Sequence, residues 1–227
     1  MYPLRRPSNY TIYGKLPGTA WRSAVSYIDS HGVKIQDEHG AWTREVENLQ
    51  IVVESPLEGW PLEGSGWSLT ALDAYAKQFF SPDPGGHDYT YGERMYQVFK
   101  SLGKEIEDVC DGEEEQNVYN RYWQQLRNKI IGAAEVDMLN SRRFCIPVLR
   151  AADLMKKNAP CMVAVSFLIR DNKINATAFF RSHDIQRAWP ANVYGLSKLM
   201  DHLAVAARSK FAVGRITTYS VSAHIYI

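Results

Sequence analysis

The 227-residue chain is poor in cysteine: it has three, Cys110, Cys145 and Cys161, and no two form a CxxC pair. That argues against a disulfide framework, which uses an even set, and against a structural zinc site, which needs clustered ligands. Free thiols in a reducing compartment are expected. The chain also lacks any apolar run near the ~18 residues that a membrane helix needs, and "MYPLRRPSNY" has no apolar stretch behind its arginines. A cytoplasmic protein that meets no membrane is the expectation. Charge of one sign is missing too: 26 basic residues face 25 acidic ones. No global field therefore draws the protein to nucleic acid or anionic lipid, and an anionic ligand must be met by a local cluster of arginines. Internal repeats and low-complexity tracts are absent, which excludes repeat arrays.

What is there is apolar and aromatic material, 45% and 12% of the residues. A chain of this size buries about 70% of its unfolded surface, so one domain over residues 1–227 is expected. "AWRSAVSYIDSHG" (residues 20–32) spaces Trp21, Val25 and Ile28 at helical intervals and closes on glycine. "LQIVVES" (49–55) reads as a strand, followed by a breaker-rich loop over 56–68. "LTALDAYAKQFF" (69–80) reads as a helix behind a serine cap, ended by "SPDPGG". The acidic "EIEDVCDGEEEQ" reads as a solvated helix end and loop leading into the helical period of "VYNRYWQQLRNKI".

Four strands are expected in the C-terminal half: "RRFCIPVL", "CMVAVSFLIR", "KINATAFFRS" and "GRITTYSVSAHIYI". "DNK" is a hairpin turn between the second and third, and "ANVYGLSKLMDHLAVAAR" is a long amphipathic helix. The fold class is α+β, with a largely antiparallel sheet in the C-terminal half.

The chemistry-bearing residues cluster in that half. Cys161 follows a proline at the mouth of a β-branched run; a lone cysteine there is more often a small core residue, and its neighbours must decide. Arg142 and Arg143 in "SRR" open a strand, so they face opposite sides and cannot both be core. An exposed edge explains them as well as a fork for phosphate does. Arg181, Ser182 and Asp184 in "FFRSHD" stand at a strand end, where sites are built. Asn192 in "PANVYG" offers an acceptor and two donors, suited to an amide-like base edge or to a helix cap. His224 and Tyr226 in "SAHIYI" share a strand face, which suits a sugar hydroxyl or a half-exposed sheet surface.

Taken in order, "SRR", "APC", "FRSHD", "PAN" and "HIY" resemble the thymidylate synthase family, closely over residues 140–227 and thinly before. "YTYGERM", "FRSHDI" and "SAHIY" are similar to its short archaeal form; related pyrimidine-nucleotide hydroxymethylases share the frame. The resemblance implies a thymidylate synthase-like α+β fold: a mixed, largely antiparallel sheet flanked by helices, with one sheet face at a homodimer interface. It implies one-carbon transfer to C5 of dUMP, giving dTMP. The co-substrate would be 5,10-methylene-tetrahydrofolate or methylene-tetrahydromethanopterin, without a metal.

By the same resemblance, Cys161 adds to C6 of the uracil ring and Arg181 beside it favours the thiolate. Arg181 and Ser182 hold the phosphate together with Arg142 and Arg143 from the second subunit. Asn192 pairs with the base edge, and His224 and Tyr226 take the sugar 3′-hydroxyl. Asp184 orders the pterin, and Tyr91 lines the cavity.

Several departures accompany the match. The helix that carries an essential glutamate in "HELLWF" of the long enzymes is "LTALDAYAKQFF" here, leaving Asp73, Glu58, Glu63 and Glu93 as candidate bases. Met162 replaces the histidine after the nucleophile. Glu38 in "DEHGAWT" replaces a phosphate-binding arginine, for which Arg22 or Arg44 are candidate substitutes. Only Ile227 follows Tyr226, so closure is expected without the tail that long forms use. Water in place of hydride would make the protein a hydroxymethylase, and a nucleotide-binding paralogue without activity is the third reading. Asn192, where deoxycytidylate enzymes carry Asp, favours uracil.

Overall fold

The computed structural model describes residues 10–104, 142, 144–206 and 211–227. The acidic run, "VYNRYWQQLRNKI", Cys110 and Arg143 lie outside them. Helix α1 (Pro17–His31) begins on a proline, whose missing N–H costs nothing at that position, and buries Ala20, Trp21, Ala24 and Ile28 along one stripe. It starts three residues before the expected boundary. Gly32 ends it with an extended φ of −67° rather than a left-handed one. Glycine is needed there for space, since a Cβ would lie 2.4 Å from the Ile28 carbonyl oxygen. Helix α2 (Leu69–Lys77) starts behind Ser68, whose hydroxyl accepts from the Ala71 N–H at 3.2 Å. The last expected residues, Gln78–Phe80, tighten into a 3₁₀ turn.

Seven strands form one sheet: β1 (Tyr10–Gly14), β2 (Val33–Gln36), β3 (Trp42–Val53), β4 (Cys145–Pro147), β5 (Met162–Arg170), β6 (Lys173–Asp184) and β7 (Ala212–Tyr226). Their order is β1-β3-β7-β6-β5-β4, with β2 paired to β3. The β5–β6 hairpin turns on Asp171 and Asn172, both at positive φ (51° and 55°), the two-residue geometry that matches strand twist. Strands β6 and β7 run parallel, joined by helix α4 (Ala188–Ala206), and β1 runs parallel to β3. The sheet is therefore mixed, and in its C-terminal half it is largely antiparallel, with β6–β7 as the parallel pair. Parallel neighbours need a crossover long enough to hold a helix, and α4 provides one. β3 begins seven residues before the expected strand, because Arg44, Glu45 and Glu47 break the apolar pattern of a segment that is nonetheless paired throughout with β7.

Helices α1 and α4 cover one face of the sheet. Trp189, fully buried, donates its Nε1–H to Thr218 Oγ1 at 3.0 Å, and Trp21 donates to the Ile185 carbonyl at 2.9 Å. These two indoles tie α4 to the middle of β7 and α1 to the residue that follows β6, beside the strand ends where the site is built. The opposite face carries a cross-strand row of Thr11, Gln50, Tyr219, Phe179 and Ala164. Phe179 stacks on Tyr219 (centroids 5.6 Å, planes 9° apart) and stays exposed. No helix among the described residues is long and apolar enough to cross a membrane.

Helix α3 (Tyr91–Lys104) is pinned to the segment that leads to Cys161 by charge. The buried Arg94 places Nη2 3.1 Å from Oδ1 of the equally buried Asp153, and Nε 3.2 Å from Glu93. Asp153→Ala would leave this buried guanidinium with Glu93 as its remaining carboxylate partner among the described residues, a loss of about 3 kcal/mol. The expected outcome is a lowered urea midpoint at unchanged m value; a loss below ~1 kcal/mol would show that the pair is not structural.

Candidate active site

The ends of β6 and β7, the first turn of α4 and the segment before β5 enclose an open cleft of about 830 Å³. Cys161 lines it, half-buried at the step before β5. Its carbonyl accepts from the Arg181 backbone N–H at 2.9 Å, so the pairing with β6 fixes its height in the cleft. The Arg181 side chain straps the same turn, donating from Nε to the Pro160 carbonyl (3.0 Å) and from Nη2 to that of Ala159 (2.7 Å). The Cys161 backbone N–H donates to the Tyr89 hydroxyl at 3.4 Å.

The thiol is not poised as a thiolate in this state. Burial pushes its pKa up; Arg181 and a hydrogen bond with Tyr89 oppose this without cancelling it, and Asp184 adds to it. Arg181 acts in the expected direction, favouring the thiolate, but burial outweighs it in this state. Alkylation of Cys161 by iodoacetamide in the ligand-free protein, followed on its tryptic peptide, should still be rising at pH 9. A plateau reached below pH 7 would contradict this.

Ser182, Asp184, Tyr91 and Asn192 also line the cleft, as do His224 and Tyr226. Asp184 Oδ1 accepts the backbone N–H groups of Gln186 and Arg187, both at 3.0 Å, so this carboxylate also shapes the turn into α4. Asn192 lies inside the first turns of α4 rather than at its cap, because the helix starts at Ala188. His224 and Tyr226 meet edge to face with centroids 5.4 Å apart, and the Arg187 guanidinium lies 5.4 Å from the Tyr226 ring centroid. Burial lowers the His224 pKa and raises that of Tyr226.

The structure does not bring every expected residue here. Arg142, expected to act on the second subunit's site, is exposed and does not line this chain's cleft. Arg44 pairs with Asp29 at 3.4 Å, and Arg22 lines a separate groove beside Tyr10 and Tyr27. None of the four acids proposed as the base lines the cleft. Asp73 accepts from the Tyr194 hydroxyl at 2.5 Å, Glu93 is paired with Arg94, and Glu58 and Glu63 are exposed in the loop before α2. The cleft instead contains Glu45, whose Oε2 accepts from Ser222 Oγ at 2.5 Å and which stands opposite His224 in the β3–β7 register.

Three more lining groups escaped the pattern reading: Tyr75, Tyr89 and His183. Tyr89 is two residues before Tyr91, a spacing that could have flagged it. Burial is the main force raising the pKa of Tyr75, Tyr89 and Tyr91, Tyr89 to about 12, so the wall near Cys161 is of neutral phenols. Among the described residues no cluster of three or more His, Cys, Asp or Glu could hold a metal ion.

The family described as Thymidylate synthase matches residues 20–227. The chain belongs to the thymidylate synthase family. It is 35% identical over 208 residues to a provisionally named thymidylate synthase of Methanococcoides burtonii, covering 91% of this chain and 85% of that one. A counterpart from Methanothermobacter thermautotrophicus is 34% identical over 234 residues, covering 96% and 93%. The crystal structure of thymidylate synthase from T4 phage superposes with a TM-score of 0.62 at 17% identity, over 91% of this chain and 76% of that one. The α+β thymidylate synthase fold is thus shown, and a transferase-type activity on a nucleotide is what the family implies.

Proposed function

We propose that this thymidylate synthase family member transfers one carbon from a methylene-tetrahydropterin to C5 of dUMP through a covalent Cys161 adduct, giving dTMP. The observation that carries this is one cleft in which Cys161 lies beside Arg181, with Ser182, Asn192, His224 and Tyr226 around it. A thiolate at C6 moves the ring's π electrons toward the 4-oxygen, so C5 becomes nucleophilic; a soft sulfur suits that addition. Loss of the C5 proton and departure of the sulfur from C6 then restore the aromatic ring. Arg181 and Ser182 would grip the phosphate, with Lys157 as the second cation lining the cleft. His224 and Tyr226 would take the sugar hydroxyl.

The cleft's 830 Å³ lies at the upper end of the range for small-molecule sites, which fits a nucleotide with a pterin ring against it. When bound, the pterin supplies the one-carbon unit and, in the synthase reaction, the hydride. Asp184 would accept its ring N–H groups through Oδ2, since Oδ1 is committed to the turn. The reading places the protein in the cytoplasm.

Incubation with labelled dUMP and methylene-tetrahydrofolate, with methylene-tetrahydromethanopterin in parallel, tests the reaction. dTMP with dihydropterin is the expected product. A 5-hydroxymethyl nucleotide with tetrahydropterin would make the protein a hydroxymethylase, and unchanged substrate would remove the enzymatic reading.

The proposal includes a homodimer formed through the open sheet face, with Arg142 and Arg143 reaching the second subunit's phosphate site. The exposure of Phe179 and of Arg142 supports it. Arg142→Ala and Cys161→Ser homodimers should each be inactive, and a mixed dimer, with one intact site of two, should recover up to about half of the wild-type activity per dimer. No recovery in a verified heterodimer would refute shared sites.

A further inference from the structure

Tyr89 stands just before helix α3, and its neighbours on the chain fix it there. Thr90 caps the helix, its hydroxyl accepting from the Glu93 N–H and its carbonyl from the Arg94 N–H, both at 3.1 Å. Asp88 accepts from Asn158 Nδ2 at 2.5 Å, which ties this segment to the turn that presents Cys161. The Tyr89 hydroxyl oxygen accepts the Cys161 backbone N–H at 3.4 Å, and the same side chain hydrogen-bonds the Cys161 side chain. Behind the phenol lies a charge cluster that does not line the cleft. The Arg94 guanidinium is 1% exposed, lies 5.7 Å from the centroid of the Tyr89 ring, and is paired with Asp153 and Glu93. We infer that Tyr89 is a catalytic residue that donates its hydroxyl in a hydrogen bond to the Cys161 sulfur, and that Arg94, held by Asp153, is a positioning residue that makes the phenol a stronger donor.

A phenol has one proton to donate and an oxygen that can accept. Here the Cys161 N–H takes the accepting side, and among the described residues no oxygen takes the proton, so the sulfur is its acceptor. A hydrogen bond to charged sulfur is stronger than one to a neutral thiol, so it favours the thiolate that adds to C6. The same bond acts again at the end of the reaction. As the sulfur–C6 bond breaks, its electron pair returns to sulfur, and the phenol meets the new charge without giving up its proton. Burial raises the Tyr89 pKa to about 12, so that proton is in place at neutral pH. A cation against the ring draws electron density from it and strengthens the O–H as a donor. The other groups that face the thiol are Arg181, which favours the thiolate, Asp184, which opposes it, and the neutral phenols of Tyr75, Tyr91 and Tyr226. The catalytic role rests on the proposed reading of Cys161 as the nucleophile; the hydrogen bond does not.

Iodoacetamide alkylation of Cys161 in the ligand-free full chain tests the bond without any substrate. In Tyr89→Phe the midpoint of the thiol should rise by about one pH unit. The thiolate then falls about tenfold and each thiolate becomes about threefold more nucleophilic, so the rate at pH 8 should drop about threefold. A Tyr89 that only braced the turn would leave a looser, more accessible thiol; an unchanged or higher rate would overturn the inference. Removing Arg94 alone would leave the buried Asp153 carboxylate without its nearest cation, so the pair is removed together in Arg94→Met/Asp153→Asn. That change should slow alkylation of the wild type about twofold and leave the rate of Tyr89→Phe unmoved, while Arg94→Lys, which keeps the cation, should stay closer to wild type than Tyr89→Phe does. Equal slowing in both backgrounds, or an Arg94→Lys protein as slow as Tyr89→Phe, would overturn the role of Arg94. With dUMP, Tyr89→Phe should lower kcat about tenfold at a Kd within threefold, and an unchanged kcat would remove the catalytic role. A wild type that turns over no dUMP would contradict the proposed function and leave the alkylation result to decide the hydrogen bond.

Discussion

Cys161→Ser should lower turnover of dUMP by at least about four orders of magnitude while nucleotide affinity stays within tenfold. A serine hydroxyl stays protonated at neutral pH, and its oxygen is a harder, weaker nucleophile toward C6 than sulfur. Binding survives because the groups that would hold phosphate, sugar and base stand on other elements: Arg181 and Ser182 on β6, His224 and Tyr226 on β7, and Asn192 on α4. Single-turnover assays with dUMP titrations by calorimetry separate the two quantities. Turnover within tenfold of wild type would remove covalent catalysis by this residue, and lost binding would mean that Cys161 shapes the cleft rather than reacting in it.

Arg181→Ala should weaken dUMP binding by roughly 100-fold or more, on the scale of a lost charge-assisted pair. It should also move the pH profile of Cys161 alkylation further up, since the guanidinium opposes the effect of burial on that thiol. Loss of the two hydrogen bonds to the Ala159 and Pro160 carbonyls should loosen the turn that presents Cys161. Arg181→Lys keeps the charge without the planar fork, so it should restore the alkylation profile more fully than the affinity. Affinity lowered by less than about threefold in Arg181→Ala would show that the phosphate is held elsewhere.

Much of the C-terminal half is legible before any coordinates. β5, the Asp171–Asn172 turn and β6 follow from apolar runs broken by residues that tolerate positive φ, and the motif residues stand at element ends, where local sequence decides geometry. What escapes reading is set by pairing between distant segments. Glu45 reaches the cleft only because β3 registers against β7 with Glu45 opposite His224. Tyr75 enters because α2 packs on α4, and His183 is buried beneath Asn192 rather than exposed in its strand-end motif. The parallel β6–β7 pair and the short strands β1 and β2 depend equally on partners that a one-dimensional pattern does not display. Burial of the Cys161 thiol is also a property of the assembled fold, and it outweighs the neighbouring arginine, which acts in the direction the sequence suggests.

The most direct measurement is peptide mass spectrometry after incubation with 5-fluoro-dUMP and a methylene-tetrahydropterin. Fluorine at C5 cannot leave as a proton, so a sulfur–C6 bond, once formed, cannot be released by completing the reaction. A covalent nucleotide on the peptide containing Cys161, and on no other, is the predicted result. An unmodified Cys161 peptide from protein that calorimetry shows to be saturated with nucleotide would contradict it.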